Sequence, residues 1–300
     1  MSENTGAVVV GVDGSDSSLD AACWAAAVAV AFETSLHIVH AMPTVGRNMT
    51  ETAAAIRAAM MSYQRDHAAI IVRSAEDAVR SRYPDLHVTT LATNIPVDEV
   101  LIEAAGTARM IVIGGSEVTP AGVLFLGSTT MAVATHARCP VVAWRGQKVS
   151  PTASPIVVGV DETHSAVDVL TAAFAFAERF ALKLAAVRSS STRRPAVAVA
   201  LPFVVDLDAL EALEWTQLTN VVDQIGLAHP DVDASCFIET TKPAEALLHQ
   251  IALDGAQLVV VGSRGRSALT SVLLGSTALN LLQHSPVPVM ICPLRPKASG

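Results

Sequence analysis

The 300-residue chain is an internal repeat, and the repeat limits its fold more than any other feature. Val8-Val9-Val10-Gly11-Val12-Asp13 returns as Ile156-Val157-Val158-Gly159-Val160-Asp161, 148 positions later. Ile111-Val112-Ile113-Gly114 returns as Val259-Val260-Val261-Gly262, and Gly127-Ser128-Thr129 as Gly275-Ser276-Thr277, both at the same offset. His136 and Pro140 return in the same way as His284 and Pro288. Between these anchors the offset drifts to 146, where Tyr83-Pro84-Asp85 faces His229-Pro230-Asp231, as small loop insertions produce. Apolar runs alone can coincide. Asp, Gly-Ser-Thr and His coinciding at one offset mark a duplicated domain. The expected organisation is therefore one domain over 1–146, a second over 154–297, and a polar Pro/Ser linker at 147–153.

Within each copy, short apolar runs alternate with longer helical segments. In the first copy Val8–Asp13, Leu36–Ala41, Leu86–Ala92, Met110–Ile113 and Val141–Trp144 read as strands. Helices are expected from Ser15 or Asp16 to Glu33, from Glu51 to Arg82, from Pro96 to Ala105 and from Ser128 to Ala137. Such alternation makes βαβ units and a parallel sheet. Hydrophobic residues are 51% of the chain and aromatics only 4%, so the core has to be built from Val, Leu, Ile and Ala. That suits strands buried on both faces. The predicted class is α/β: two tandem, doubly wound, five-stranded parallel-sheet domains, with ligands beyond the carboxyl ends of the strands where strand order reverses.

Charge narrows the function. Asp and Glu outnumber Lys and Arg 28 to 20, for a formal net charge of −8, so no global attraction to nucleic acid or an anionic membrane is expected. The longest apolar stretch, Ala21 to Phe32, is well short of the roughly 20 residues that span a bilayer. No basic leader opens the sequence. Four cysteines without metal-ligand spacing read as small buried hydrophobes in a reducing, cytoplasmic setting.

Two common phosphate motifs are missing: no lysine follows a glycine as in a P-loop, and neither first strand leads into G-x-G-x-x-G. In the second copy, however, Gly262-Ser263-Arg264-Gly265 is followed by nine residues and then Gly275-Ser276-Thr277. Gly262 lets a ligand approach bare backbone, and Gly265 permits a positive φ. Gly275, Ser276 and Thr277 open a helix whose free N–H groups and dipole favour an anion. Arg264 or Arg266 can add charge. Asp161, ending the first strand, stands across the reversal point as an acceptor for ribose hydroxyls or a metal-side ligand.

This G-x-x-G-x₉-G-[S/T] pattern, with an Asp ending the first strand, resembles the ATP-binding subgroup of the universal stress proteins, in the tandem form common in actinobacteria. The resemblance runs from about Val8 to Leu294. It implies strand order 3-2-1-4-5 and ATP, with or without Mg²⁺, between strands one and four. It also implies a C-terminal site of Asp161, Gly262, Arg264, Gly265, Gly275, Ser276 and Thr277, with Val187 beside the adenine. In the first copy the matching residues are Asp13, Gly114, Gly127, Ser128 and Thr129, but Glu117 replaces the second glycine. Two like charges 4 Å apart repel by about 4 kcal/mol at an effective dielectric of 20. A weaker or empty N-terminal site is expected.

Glu162 and His164 read as loop or cap residues, and His136 and His284 as caps of the last helices. In the family the fifth strands pair across a two-fold axis. Val141–Trp144 and Val287–Ile291 can do so within one chain as a pseudo-dimer, or between chains as a homodimer. The expected function is non-enzymatic: an ATP-binding stress-response or regulatory protein acting on a protein partner that the sequence does not name. The alternatives are a nucleotide-independent scaffold and a slow ATPase. The last lacks an evident nucleophile or base, and the chain has no S-G-G-x-D-S loop or H-x-G-H pair of adenylyl-transferring relatives.

Overall fold

A computed structural model describes residues 6–42, 54–114, 127–161, 165–190, 207–263 and 273–293. The first copy supplies strands β1 (Val8–Gly11), β2 (Leu36–Ala41), β3 (Val88–Thr93), β4 (Met110–Gly114) and β5 (Val141–Trp144). Between them run helices α1 (Asp16–Ala31), α2 (Ala54–Arg80), α3 (Val97–Ala104) and α4 (Ser128–His136). The second copy repeats the plan with β6 (Ile156–Gly159), α5 (Ser165–Phe180), β7 (Leu184–Ser189), α6 (Leu207–Gly226) and β8 (Ala234–Glu239). It closes with α7 (Pro243–Asp254), β9 (Leu258–Gly262), α8 (Ser276–His284) and β10 (Val289–Cys292).

The chain divides into two compact units, one of Met1–Thr152 with Leu282–Pro293, the other of Ala153–Leu281 with Leu294–Gly300. In the first unit the strands lie in the order β3-β2-β1-β4-β5, all parallel, and β10 adds antiparallel to β5 with Met290 opposite Val142. In the second unit the order is β8-β7-β6-β9, again parallel. The order reverses at β1 and at β6, as a doubly wound sheet requires. Strand interiors are apolar and almost fully buried: Val8, Val9, Val10, Ile111, Val112, Ile156, Val157, Val158, Val259 and Val260 are each 0% exposed.

The glycine of each Val-Gly-Val-Asp run has a packing cause. A side chain at Gly11 would meet Leu101 of α3 at 3.3 Å, and one at Gly159 would meet Leu247 of α7 at 3.1 Å. A leucine of the helix after strand three thus seats on the first strand in both copies.

Some expected boundaries shift for local reasons. Strand three begins at Val88 and not at Leu86, because the Leu86 N–H turns back to the Tyr83 carbonyl at 3.2 Å. Helix α2 ends at Arg80, and Arg82 and Tyr83 finish it with N–H groups folded onto the Val79 carbonyl. Pro96 occupies the N-cap position, so α3 starts one residue later than expected. Strand ten is Val289–Cys292, not Val287–Ile291. Pro288, which has no N–H to give, stands outside the ladder, and Ser285 Oγ turns the chain by donating to the Val287 carbonyl at 2.8 Å.

Candidate functional site

Parallel register brings the carboxyl ends of the first and fourth strand of each copy side by side. In the first copy Gly11 stands opposite Ile113, so Asp13 and Gly114 emerge next to each other. In the second, Val158 stands opposite Val260, which puts Asp161 and Gly262 at neighbouring strand ends. This is the reversal point at which α/β sheets bind ligands.

In the first copy Asp13 is used locally. Its Oδ1 accepts from the Ser15 N–H at 2.9 Å and from Ser15 Oγ at 2.6 Å. Ser15 in turn caps α1, its hydroxyl accepting from the Ser18 N–H at 3.2 Å. Burial pushes the Asp13 carboxyl up, but the hydrogen bonds from Ser15 and Ser18 more than offset it and leave the group below its usual 3.8. Gly14, at φ +89°, gives the turn a backbone shape that L side chains rarely adopt.

Gly114 is glycine because a helix comes close. A Cβ there would sit 2.4 Å from Ala21 Cβ and 2.8 Å from the Ser17 carbonyl, both on α1. Across the reversal point Gly127 occupies the N-cap of α4, and a Cβ on it would meet only Thr130 Oγ1, at 4.0 Å. Ser128 is exposed and Thr129 half-buried at the start of that helix.

In the second copy the Gly275 N–H donates to the Ser263 carbonyl at 2.8 Å, which ties the start of α8 to the end of β9. The first intrahelical bond runs from the Leu279 N–H to the Gly275 carbonyl. The amides of Ser276, Thr277 and Ala278 therefore precede the helical ladder, and Ser276 is exposed with Thr277 half-buried. Asp161 is half-buried at the end of β6. Val187 is 2% exposed; its side chain packs in the core and its carbonyl accepts the Val160 N–H at 2.9 Å. Arg264, Gly265 and Arg266, like Glu117, Glu162 and His164, lie outside the described residues.

Two buried charged groups stand beside this site that the motif does not contain. Arg188, at the end of β7, is 4% exposed, and Glu214 of α6 is also 4% exposed. Arg188 donates through Nη2 to the Asp161 carbonyl at 3.4 Å and through Nη1 to the Glu214 carbonyl at 3.3 Å. Burial pulls the guanidinium below its ordinary value, while the charges of Glu214 and Asp161 act in the opposite sense. In the first copy the equivalent strand position is His40, whose Nδ1 lies 2.8 Å from the Val12 carbonyl. A sequence signal for Arg188 exists: an arginine closes the apolar run Leu184-Ala185-Ala186-Val187.

The expected helix-end histidine is present at His136, whose Nδ1 lies 2.9 Å from the Ala132 carbonyl in the last turn of α4. All four cysteines are free thiols. Among the described residues no three His, Cys, Asp or Glu side chains gather as a metal set, and no helix is long and apolar enough to cross a membrane.

Fold and strand-end geometry together define a class: a tandem, doubly wound α/β protein whose two copies each set an acidic strand end beside a Gly-Ser-Thr helix start. The model of the universal stress protein family matches residues 5–145 and again 153–293, and the chain belongs to that family. It is 32% identical over 294 residues to universal stress protein Rv2005c of Mycobacterium tuberculosis, covering 95% of this chain and 96% of that one. A universal stress protein of Mycolicibacterium smegmatis is 28% identical over 305 residues, with 97% of each chain covered. Among solved structures, a universal stress protein from Archaeoglobus fulgidus aligns over 97% of both chains with a TM-score of 0.66 at 17% identity, which speaks to the fold.

Proposed function

We propose that this universal stress protein binds ATP, with or without Mg²⁺, as a regulatory ligand and does not turn it over. The observation that carries the reading is the C-terminal site. Asp161 and Gly262 end neighbouring strands, and α8 opens on Gly275-Ser276-Thr277 with three amides ahead of its first intrahelical bond. Such a helix start favours a polyanion by free N–H groups and dipole, and the two hydroxyls add donors. An adenosine triphosphate would lay its phosphates there and its ribose toward Asp161. With no three-carboxylate or histidine set among the described residues, a Mg²⁺ would be held chiefly through the phosphates.

The N-terminal copy is the weaker site in this reading. Glu117 puts a carboxylate where the motif wants glycine, and Asp13 already spends an oxygen on Ser15. Nucleotide occupancy would then alter affinity for a protein partner in the cytoplasm, with the chain acting as its own pseudo-dimer or as a homodimer. The test is titration of nucleotide-stripped, full-length protein with Mg-ATP, alongside a Gly275→Val variant. Binding that the variant loses supports the proposal. Absence of binding at millimolar ATP overturns it, and steady phosphate release under saturating ATP would replace it with the ATPase reading.

A further inference from the structure

The second copy buries two side chains of opposite charge type, Arg188 and Glu214, where the first has His40 and Ala68. Strand β7 follows β2 at an offset of 148, so Arg188 occupies the place of His40. The ends of α6 and α2 match at 146, so Glu214 occupies the place of Ala68. Ala68 is 1% exposed and Glu214 4%, so both helix positions face the interior. Either charge introduced alone would be buried without its opposite, which is strongly unfavourable; the charge of Glu214 favours the charged form of the Arg188 guanidinium. The two copies thus differ by a matched exchange, His/Ala for Arg/Glu.

The exchange changes what the strand end holds. His40 reaches one carbonyl, that of Val12. Arg188 reaches two, spanning from Glu214 on α6 to Asp161 at the mouth of the site. Val160, one residue before, is already fixed by its N–H on the Val187 carbonyl. The chain is therefore held on both sides of the Asp161 Cα, from β7 alone. Being buried, the guanidinium acts with little screening by salt.

We infer that Arg188 and Glu214 are positioning residues of the C-terminal site: a buried pair that holds the Asp161 backbone in its ligand-ready shape and that the N-terminal copy lacks. This rests on the nucleotide reading above and adds a cause for the difference between the copies.

The test uses full-length protein carrying R188H/E214A, which installs the first copy's residues, with R188H and R188K as companions. R188H, leaving Glu214 buried without its cation, is expected to have the lowest Tm. The double variant should recover most of that Tm yet bind Mg-ATP at least tenfold more weakly. In the absence of nucleotide, the peptide around Asp161 should exchange its amides faster than in the parent. R188K keeps the charge without the two-pronged reach, so its Tm should stay near the parent's while its affinity falls by an intermediate factor. Wild-type affinity in the double variant, or unchanged exchange around Asp161, would show the pair to be core packing and overturn the inference. If the parent protein binds no ATP, the nucleotide reading falls separately, and the nucleotide-free exchange data still decide whether the pair holds the loop.

Discussion

At the scale of single residues, four positions bear on stability: Ser15, Asp13, Gly114 and Cys139. Ser15 both caps α1 and holds Asp13, so Ser15→Ala should cost about 1 kcal/mol in urea unfolding. Asp13, held below its usual 3.8, stabilises the fold above that pH, and the contribution is lost as pH falls through the lowered native value. Asp13→Asn should therefore lower stability most in the neutral range, leave strongly acidic conditions least affected, and so flatten the acid limb of the stability profile below about pH 4. Gly114 admits no side chain, since its Cβ would lie within 3 Å of the α1 backbone. Gly114→Ala should destabilise by about 3 kcal/mol, the upper end for overpacking, because helix backbone and not a flexible tip must move. Cys139, 6% exposed, has its thiol pushed up to about 12 by burial. The unfolded thiol ionises near 9 and the native one near 12, so the native state binds more protons in that window and stability falls as pH rises through it. A Cys139→Ala variant should lose that part of the alkaline slope.

At the scale of elements, helix ends and strand ends decide how well the sequence could be read. Periodicity placed every helix and strand of the first copy, because apolar runs of Val and Ile bounded by Gly, Asp or Pro leave few alternatives. What escaped was decided by hydrogen bonds between distant or unpatterned groups. The Leu86 turn onto Tyr83 shortened a strand that looked apolar from its first residue. Arg145, two residues before the expected linker, is 8% exposed and donates through Nη1 and Nη2 to the carbonyls of Ser285 and Leu282, at 3.0 and 2.8 Å. Those are orphan carbonyls at the end of α8. Burial lowers the Arg145 guanidinium to about 10, still charged at neutral pH. Arg145→Met keeps the packing and strands both carbonyls, so a loss of about 3 kcal/mol is expected from thermal or urea unfolding. The corresponding position of the second copy is Pro293, whose side chain has no donor. The two copies are thus unequal at the level of elements.

At the scale of the whole molecule, duplication is what made the fold legible and what hid part of the site. Matching anchors at one offset announced two doubly wound domains, while the strand order came with the family resemblance and is found as β3-β2-β1-β4-β5 in the first copy and β8-β7-β6-β9 in the second. The same matching drew attention to residues that the copies share, Asp, Gly and Ser-Thr, and away from the positions where they differ. Arg188 and Glu214 lie 26 positions apart and are joined only by folding. Their partnership has no spacing to announce it. The shared residues also turned out to have more than one cause, Gly114 for a helix approach and Asp13 for a capped turn. Conserved chemistry between copies therefore leaves function to be counted directly. The most direct count is the number of ATP molecules bound per chain at saturation, by calorimetry on nucleotide-stripped full-length protein. About one per chain is expected, abolished by Gly275→Val and untouched by the same change at Gly127. Two per chain, or a single site lost with Gly127 and kept with Gly275→Val, would contradict it.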